Sequence, residues 1–216
     1  MSIFKASNLQ SLPKFLNRCD PLAVLERKPK KGSDEFFQKL MKTNFKVIGQ
    51  IFKNSSKNDI TYILKNDIPN ELQTHSFYTI WVNDMSIICN IFCRILDIDS
   101  VGFSLGTQRV CQRYHIDNVS MRLLVTYAGI GTEWLPENAA DRKAYYRGMS
   151  NEQILKDPSK RKFMDIWDVA IFRGGPNGLL HRSPDAALKG QSIMMRLDHE
   201  NFWNTVLKHE LDNKVL

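Results

Sequence analysis

The feature that most restricts the fold of this 216-residue chain is a change of hydrophobic period near Ile98. Before it, Phe77, Ile80, Trp81, Ile87, Ile88, Ile91, Phe92 and Ile95 recur at helical spacing, with Cys89 and Cys93 one turn apart beside them. After it, apolar residues come in short runs separated by Gly, Pro and Asn, which is the texture of sheet. The runs place strands at about Val101 to Leu105, Val110 to Asp117, Met121 to Tyr127, Thr132 to Leu135, Val169 to Arg173, Leu179 to Arg182 and Ser192 to Asp198. So many short strands suggest a jelly roll or barrel packed on the preceding helices.

The expected class is α+β, with an N-terminal helical layer over residues 1–100 packed on a C-terminal barrel over residues 101–216, the two forming one structural unit. Ser33, Asp34 and Glu35 suit a helix start, and Phe37, Leu40, Met41, Ile48 and Ile51 share a stripe that carries the helix to about Phe52. A second short helix is expected from Asp59 to Lys65. The first 32 residues, with Pro13, Pro21, Pro29 and Gly32, read as an irregular arm with at most a short helix. Pro136 to Asp165 is a long insertion with a helix at Asn151 to Leu155, of the length used for lids and binding loops. Phe202, Val206 and Leu207 predict a closing helix from Asn201 to Leu211.

Composition narrows the setting. Asn83, Asp84, Asn90, Arg94 and Asp97 make the apolar stretch from Phe77 to Ile98 too polar for a bilayer core of roughly 30 Å. The start Met1-Ser2-Ile3-Phe4-Lys5 has no apolar leader, so the expectation is a cytoplasmic protein without a membrane span. Cys19, Cys89, Cys93 and Cys111 fit a reducing compartment. The net charge of +7 includes basic runs at Arg27 to Lys31 and Lys160 to Lys162. Such runs bind phosphates or coat solvated loops, so nucleic acid is conceivable and not favoured. The substrate, small-molecule or macromolecular, and the oligomeric state are open.

The chemistry concentrates in His115-Ile116-Asp117, with His181 sixty-six residues later. Residues two apart on a strand point to one face, so His115 and Asp117 can ligate one ion inside a barrel, and a second strand can supply His181. Three ligands on one side leave the opposite positions open, as a non-haem Fe(II) oxygenase requires. The alternative makes the same residues satisfied polar groups of a barrel interior. Counting back by twos adds Arg113 and Cys111 to that face; Cys111 is either a fourth, softer ligand favouring zinc or a small buried residue. Arg122 and Thr126 share one face of the next strand, where they orient a co-substrate or Arg122 pairs with an aspartate. Tyr145, Tyr146 and Arg147 form a lid or coat the barrel.

Residues 101–199 resemble the double-stranded β-helix of the 2-oxoglutarate and Fe(II)-dependent oxygenases. His115-x-Asp117 stands where that family ends a strand; Leu123 to Tyr127 and Gly129 to Trp134 are similar to the strands that follow. Asp168-Val169-Ala170-Ile171-Phe172 resembles the family's Gly-Asp-Ala-apolar-Phe strand with Trp167 in place of the glycine, and His181-Arg182-Ser183-Pro184 its distal histidine segment. The resemblance implies Fe(II) and 2-oxoglutarate as cofactors and a dioxygenase activity. It also implies Arg196, in Ile193-Met194-Met195-Arg196-Leu197, as the partner of the distal 2-oxoglutarate carboxylate, although Arg196 follows His181 by fifteen residues, more than the family's usual ten or so. Arg196 can instead pair with Asp117, Asp168 or Asp198. Tyr127 and Trp134 are further site candidates. The competing reading is a cupin-like metalloprotein that holds zinc or another divalent ion for hydrolysis or metal handling. A closer resemblance, running from Cys111 through Arg113-Tyr114-His115-Ile116-Asp117-Asn118-Val119 to Gly131-Thr132-Glu133-Trp134-Leu135-Pro136, is to a bacterial family called domain of unknown function 1826.

Overall fold

The computed structural model describes residues 2–202. Its strands are β1 (Phe4–Lys5), β2 (Leu22–Leu25), β3 (Lys46–Phe52), β4 (Ser100–Gly106), β5 (Met121–Ala128), β6 (Glu133–Trp134), β7 (Lys162–Phe163), β8 (Val169–Arg173), β9 (His181–Arg182) and β10 (Ile193–His199). The α-helices are α1 (Ser33–Leu40), α2 (Ser56–Leu64), α3 (Asn70–Gln73), α4 (Ser76–Leu96), α5 (Arg142–Tyr146), α6 (Asn151–Ile154) and α7 (Asp185–Lys189). The strands form a seven-stranded sheet ordered β1-β2-β8-β5-β10-β4-β3 and a three-stranded sheet ordered β7-β6-β9. Every pairing in the large sheet is antiparallel except β1 with β2. From β5 onward the chain winds between the sheets: β5 in the large one, β6 and β7 in the small one, β8 back in the large one, then β9 and β10 on opposite sides.

Strand β5 shows how this winding sorts side chains. Leu123, Val125 and Tyr127 join the core shared with Phe77, Trp81, Met85, Ile88 and Phe92 of α4. Alternation turns Arg122, Leu124 and Thr126 to the other face, where Leu124 meets Trp134, Phe172 and Leu179 between the sheets. Helix α4 is long and apolar enough to cross a membrane by length and composition, with a mean hydropathy of 1.3. In the fold it is the core helix, and its buried Asp84 accepts from Arg27 at 2.7 Å and from the Tyr127 hydroxyl at 2.9 Å.

Three sequence expectations change. The helix from Ser33 ends at Leu40, and residues 46–52 are strand β3, paired with β4. Ile48 and Ile51 fit a helical stripe by coincidence; Val47 and Ile51 are buried while Lys46, Ile48, Gln50 and Phe52 are exposed, which is a period of two. The N-terminal arm is not irregular, because Leu22-Ala23-Val24-Leu25 lies wholly buried against β8. A four-residue apolar run carries no period to read. The first hundred residues therefore supply strands to both edges of the sheet besides their helices. The segment Val110 to Asp117 is not a strand either: it makes one isolated bridge, His115 to His181, and Val110 is exposed. Strand β8 has its expected bounds, and α4 begins and ends within a residue of its apolar stripe. The helix expected at Asn201 to Leu211 falls outside the described residues beyond Phe202.

Candidate metal centre

The bridge between His115 and His181 is the frame of the site. Each backbone N–H donates to the other residue's carbonyl at 3.0 Å, so the two residues stand directly opposite. Opposed residues of an antiparallel pair send their side chains to one side, and the imidazole centroids are 4.4 Å apart. His115 Nδ1 lies 3.0 Å from the Arg113 carbonyl, and His181 Nδ1 2.9 Å from the Leu179 carbonyl. A carbonyl only accepts, so both Nδ1 atoms carry the proton and both Nε2 atoms keep a lone pair for a ligand. Burial holds the imidazoles down to about 4, with the neighbouring His181 ring adding to the effect at His115, so both rings are neutral at pH 7.

Asp117 completes the group. Its Oδ2 lies 3.4 Å from His181 Nε2, and its Oδ1 3.8 Å from His115 Nε2. One donor atom from each residue falls within 4.8 Å of the others, close to the span of a divalent ion with bonds of about 2.0–2.2 Å. Oδ1 accepts from the Arg122 guanidinium, whereas Oδ2 is sealed from solvent with no hydrogen-bond partner among the described residues. A buried orphan carboxylate oxygen facing two imidazole lone pairs is what a bound cation would satisfy. The donor set fits a divalent metal.

The Asp117 segment is fixed from behind by the turn after β8. Gly175 N–H donates to the Asp117 carbonyl at 3.1 Å, and Gly174 N–H to the Ser120 carbonyl at 3.1 Å. A Cβ on Gly174 would collide with the carbonyl oxygens of Val119 and Asp117. Gly174→Ala is therefore expected to displace Asp117 and weaken divalent-metal binding roughly tenfold or more, in the range for groups that orient ligands. Gly190→Ala, whose new Cβ meets only the Ala186 carbonyl at 3.2 Å, serves as the comparison. Metal titration of both proteins checks this, and an unchanged affinity in Gly174→Ala refutes it.

Arg122 also donates to Asp198 at 2.7 Å, and Arg196 to the other Asp198 oxygen at 2.5 Å. Both guanidiniums stack over Phe202. Arg122, Arg196 and Cys111 line one small cavity with His115 and His181. The Cys111 thiol is not in the donor group that meets, so a fourth sulfur ligand is not formed among the described residues. Thr126 is buried on the Arg122 face of β5 but lies outside this cavity lining. Trp134 stands opposite His181 in the small sheet and belongs to the apolar wall between the sheets.

Two candidates sit elsewhere. With no strand at residues 110–117, counting by twos fails for Arg113, which donates to the Met149 carbonyl at 2.6 Å and lines a separate outer cleft. Tyr127 points into the helical core toward Asp84. In the insertion, the Tyr145 hydroxyl accepts from Ile116 N–H at 3.3 Å and the Tyr146 hydroxyl donates to the Pro176 carbonyl at 3.1 Å, so both brace neighbouring loops.

Sequence reasoning passed over two groups. Glu133, 1% exposed, accepts from the Tyr114 hydroxyl and pairs with Arg182 at 3.0 Å, tying β6 to β9 and to the segment that carries His115. A lone acid beside Trp134-Leu135 was its available signal. Arg109 is buried on the cavity itself, donating to the Ile130 carbonyl at 3.2 Å and to Thr132 Oγ1 at 3.0 Å. Its neighbours Thr107 and Gln108 make it look like an ordinary loop residue.

No curated protein matches the chain in sequence. Solved structures similar to it include the Fe(II)/α-ketoglutarate-dependent dioxygenase TqaL, 11% identical with a TM-score of 0.44 over 88% of this chain and 85% of that one. A prolyl hydroxylase from Trichoplax adhaerens, in complex with a hypoxia inducible factor oxygen degradation domain peptide fragment, is 11% identical with a TM-score of 0.44 over 89% of each chain. EvdO2 from Micromonospora carbonacea var. aurantiaca is 11% identical with a TM-score of 0.41 over 91% of this chain and 92% of that one. The family model described as protein of unknown function (DUF1826) matches residues 6–198, which include all three donors and both sheets from β2 to β10 almost entire, and the chain belongs to that family.

Proposed function

We propose that this protein is an Fe(II) and 2-oxoglutarate-dependent dioxygenase built on a double-stranded β-helix, with His115, Asp117 and His181 as the metal ligands. The observation that carries the reading is the donor set. Two imidazoles present Nε2 lone pairs, each with Nδ1–H committed to a backbone carbonyl, beside a carboxylate oxygen that lacks any other partner among the described residues. Two imidazoles and one carboxylate converging from one side suit ferrous iron that keeps open positions. When bound, the iron with its keto acid and dioxygen supplies the two-electron oxidation of a C–H bond, the keto acid leaving as succinate and carbon dioxide.

The chain's own residues do the positioning. The isolated bridge between His115 and His181 holds the imidazoles, Arg122 holds Asp117 Oδ1 so that Oδ2 is presented, and Trp134, Phe172 and Leu124 keep the space between the sheets dry. The absence of Cys111 from the donor group weighs for iron over a closed zinc site.

Anaerobic Fe(II) reconstitution followed by 2-oxoglutarate tests the reading. A visible metal-to-ligand charge-transfer band that His181→Ala lacks is the expected result. Tightly held zinc, with no band after exchange for iron, would refute the assignment.

A further inference from the structure

The two edges of the seven-stranded sheet differ. At one, β1 is two residues long, too short to template another strand. At the other, β3 runs for seven residues with no proline and no break in its register with β4. Edges are usually blunted by shortness, bulges, proline or charge, and the one charge on β3 is Lys46 at its start. Thr107 N–H donates to the Phe45 carbonyl at 3.0 Å and Lys53 N–H to the Asp99 carbonyl at 2.8 Å, so bonded positions bracket the ladder at both ends. Bonded positions alternate in an antiparallel pair, which turns the backbone groups of Val47, Gly49 and Ile51 to β4 and those of Lys46, Ile48 and Gln50 outward. Among the described residues nothing pairs with these outward groups.

The flanks of this edge are apolar on both sides. Ile48 stands opposite Ser104, and Ser104 opposite Arg196, so Ile48 and Phe52 lie on the sheet face that bears Arg122 and Arg196. They are 40% and 48% exposed, and on the α2 side Tyr62 is 80% exposed. Helix α2 runs back along β3. Its Asp59 accepts from Phe52 N–H at 2.9 Å, while Tyr62 and Lys65 line a cleft of about 550 Å³ with Lys46, Ile48 and Asp67. The Phe52 end of the edge therefore carries Lys57 and Asp59, and the Lys46 end carries Lys65 and Asp67.

We propose that β3 is the interface of a homodimer, in which two copies of this chain pair their β3 strands antiparallel about a two-fold axis and join their large sheets into one. Matching the outward groups sets Ile48 against Gln50 of the second copy and Lys46 against Phe52 of the second copy, and the two-fold repeats each pair. This register also brings opposite charges together. The Lys46 and Lys65 end of one copy meets Asp59 of the other, and Lys57 meets Asp67. The two Tyr62 rings meet near the axis, and the two α2 helices run antiparallel, so their dipoles offset each other. A two-fold normal to the sheet keeps like faces together, so both donor groups lie on one side of the joined sheet and both α4 helices on the other. The pairing does not depend on the function proposed above.

Sedimentation velocity of the full chain over a concentration series tests the pairing. The wild-type protein is expected to pass from monomer to dimer in the micromolar range, as a small interface does, and at higher concentration when salt screens the crossed charges. Ile48→Pro removes an N–H that β4 does not use, so the chain keeps its own ladder while the dimer loses a bond on each side of the axis. It is expected to weaken dimerisation at least about tenfold, with circular dichroism unchanged. Tyr62→Glu sets two carboxylates against each other near the axis and is expected to weaken dimerisation at least about tenfold as well. Leu16→Glu gives the comparison: Leu16 is 45% exposed beside the opposite edge, where Phe15 stacks on Phe4, and its change should leave the dimer intact. If Ile48→Pro fails to fold, Tyr62→Glu decides: a weaker dimer supports the pairing and an unchanged one overturns it. A dimer that either folded variant leaves at full strength, or that Leu16→Glu weakens equally, overturns β3 as the interface. A wild-type protein that stays monomeric throughout the series overturns the proposal and leaves the edge to a chain of another sequence.

Discussion

Alanine at His115, Asp117 or His181 is expected to reduce metal retained after gel filtration from one ion per chain to less than about a tenth of that, a loss of at least about a hundredfold in affinity, since even groups that merely orient ligands are worth 10–100-fold. Each is one of three proposed ligands, and Asp117 is the only one of them with charge to offer an ion. Asp117→Asn should be nearly as damaging as alanine, because the amide keeps the shape but removes the charge. His75→Ala gives the comparison: that imidazole caps α4 by accepting from Phe77 N–H at 3.1 Å, and its loss should leave metal content unchanged. Elemental analysis of the variants beside their circular dichroism separates loss of the site from loss of the fold. Folded variants that retain metal at the wild-type level would remove the centre altogether.

How far the sequence could be read depended on how local each determinant was. Helix α4 was legible because its twenty-one residues give the apolar stripe several turns in which to repeat. Strand β8 was legible because Gly174 and the preceding Asp168 bracket a continuous apolar run. Strand β2 was not, since four residues hold too few repeats, and its burial comes from β8, far away in sequence. The donor trio could be named although the strand supposed to carry it is absent. His115 and Asp117 converge because one bridge to His181 and the glycine turn at 174–175 fix the segment, without a regular pleat. The same missing pleat is why Arg113 was misplaced. The roles of Arg122 and Arg196 depend on which carboxylates lie beside them across β5 and β10. Such pairings leave no periodic trace in the chain.

Arg122→Met should be the most destabilising change in the site when metal is absent. Arg122 is the buried cation joining Asp117, 2% exposed, to Asp198, 0% exposed, and it donates to both. Removing one partner of a buried ion pair costs about 3–5 kcal/mol because the opposite charge is left stranded. For a domain of this size that corresponds to a fall of roughly 6–20 °C in the unfolding midpoint. The stranded group is mainly Asp117, since Asp198 keeps its bond to Arg196. A divalent ion at the imidazoles would neutralise that carboxylate, and the variant no longer places a guanidinium charge beside the ion. Saturating Mn(II) should therefore raise the midpoint by more in Arg122→Met than in the wild-type protein. Thermal unfolding of both, with and without Mn(II), provides the comparison. A deficit that Mn(II) leaves untouched would mean that Asp117 serves Arg122 alone, and that the two histidines are polar residues of a barrel interior instead of ligands.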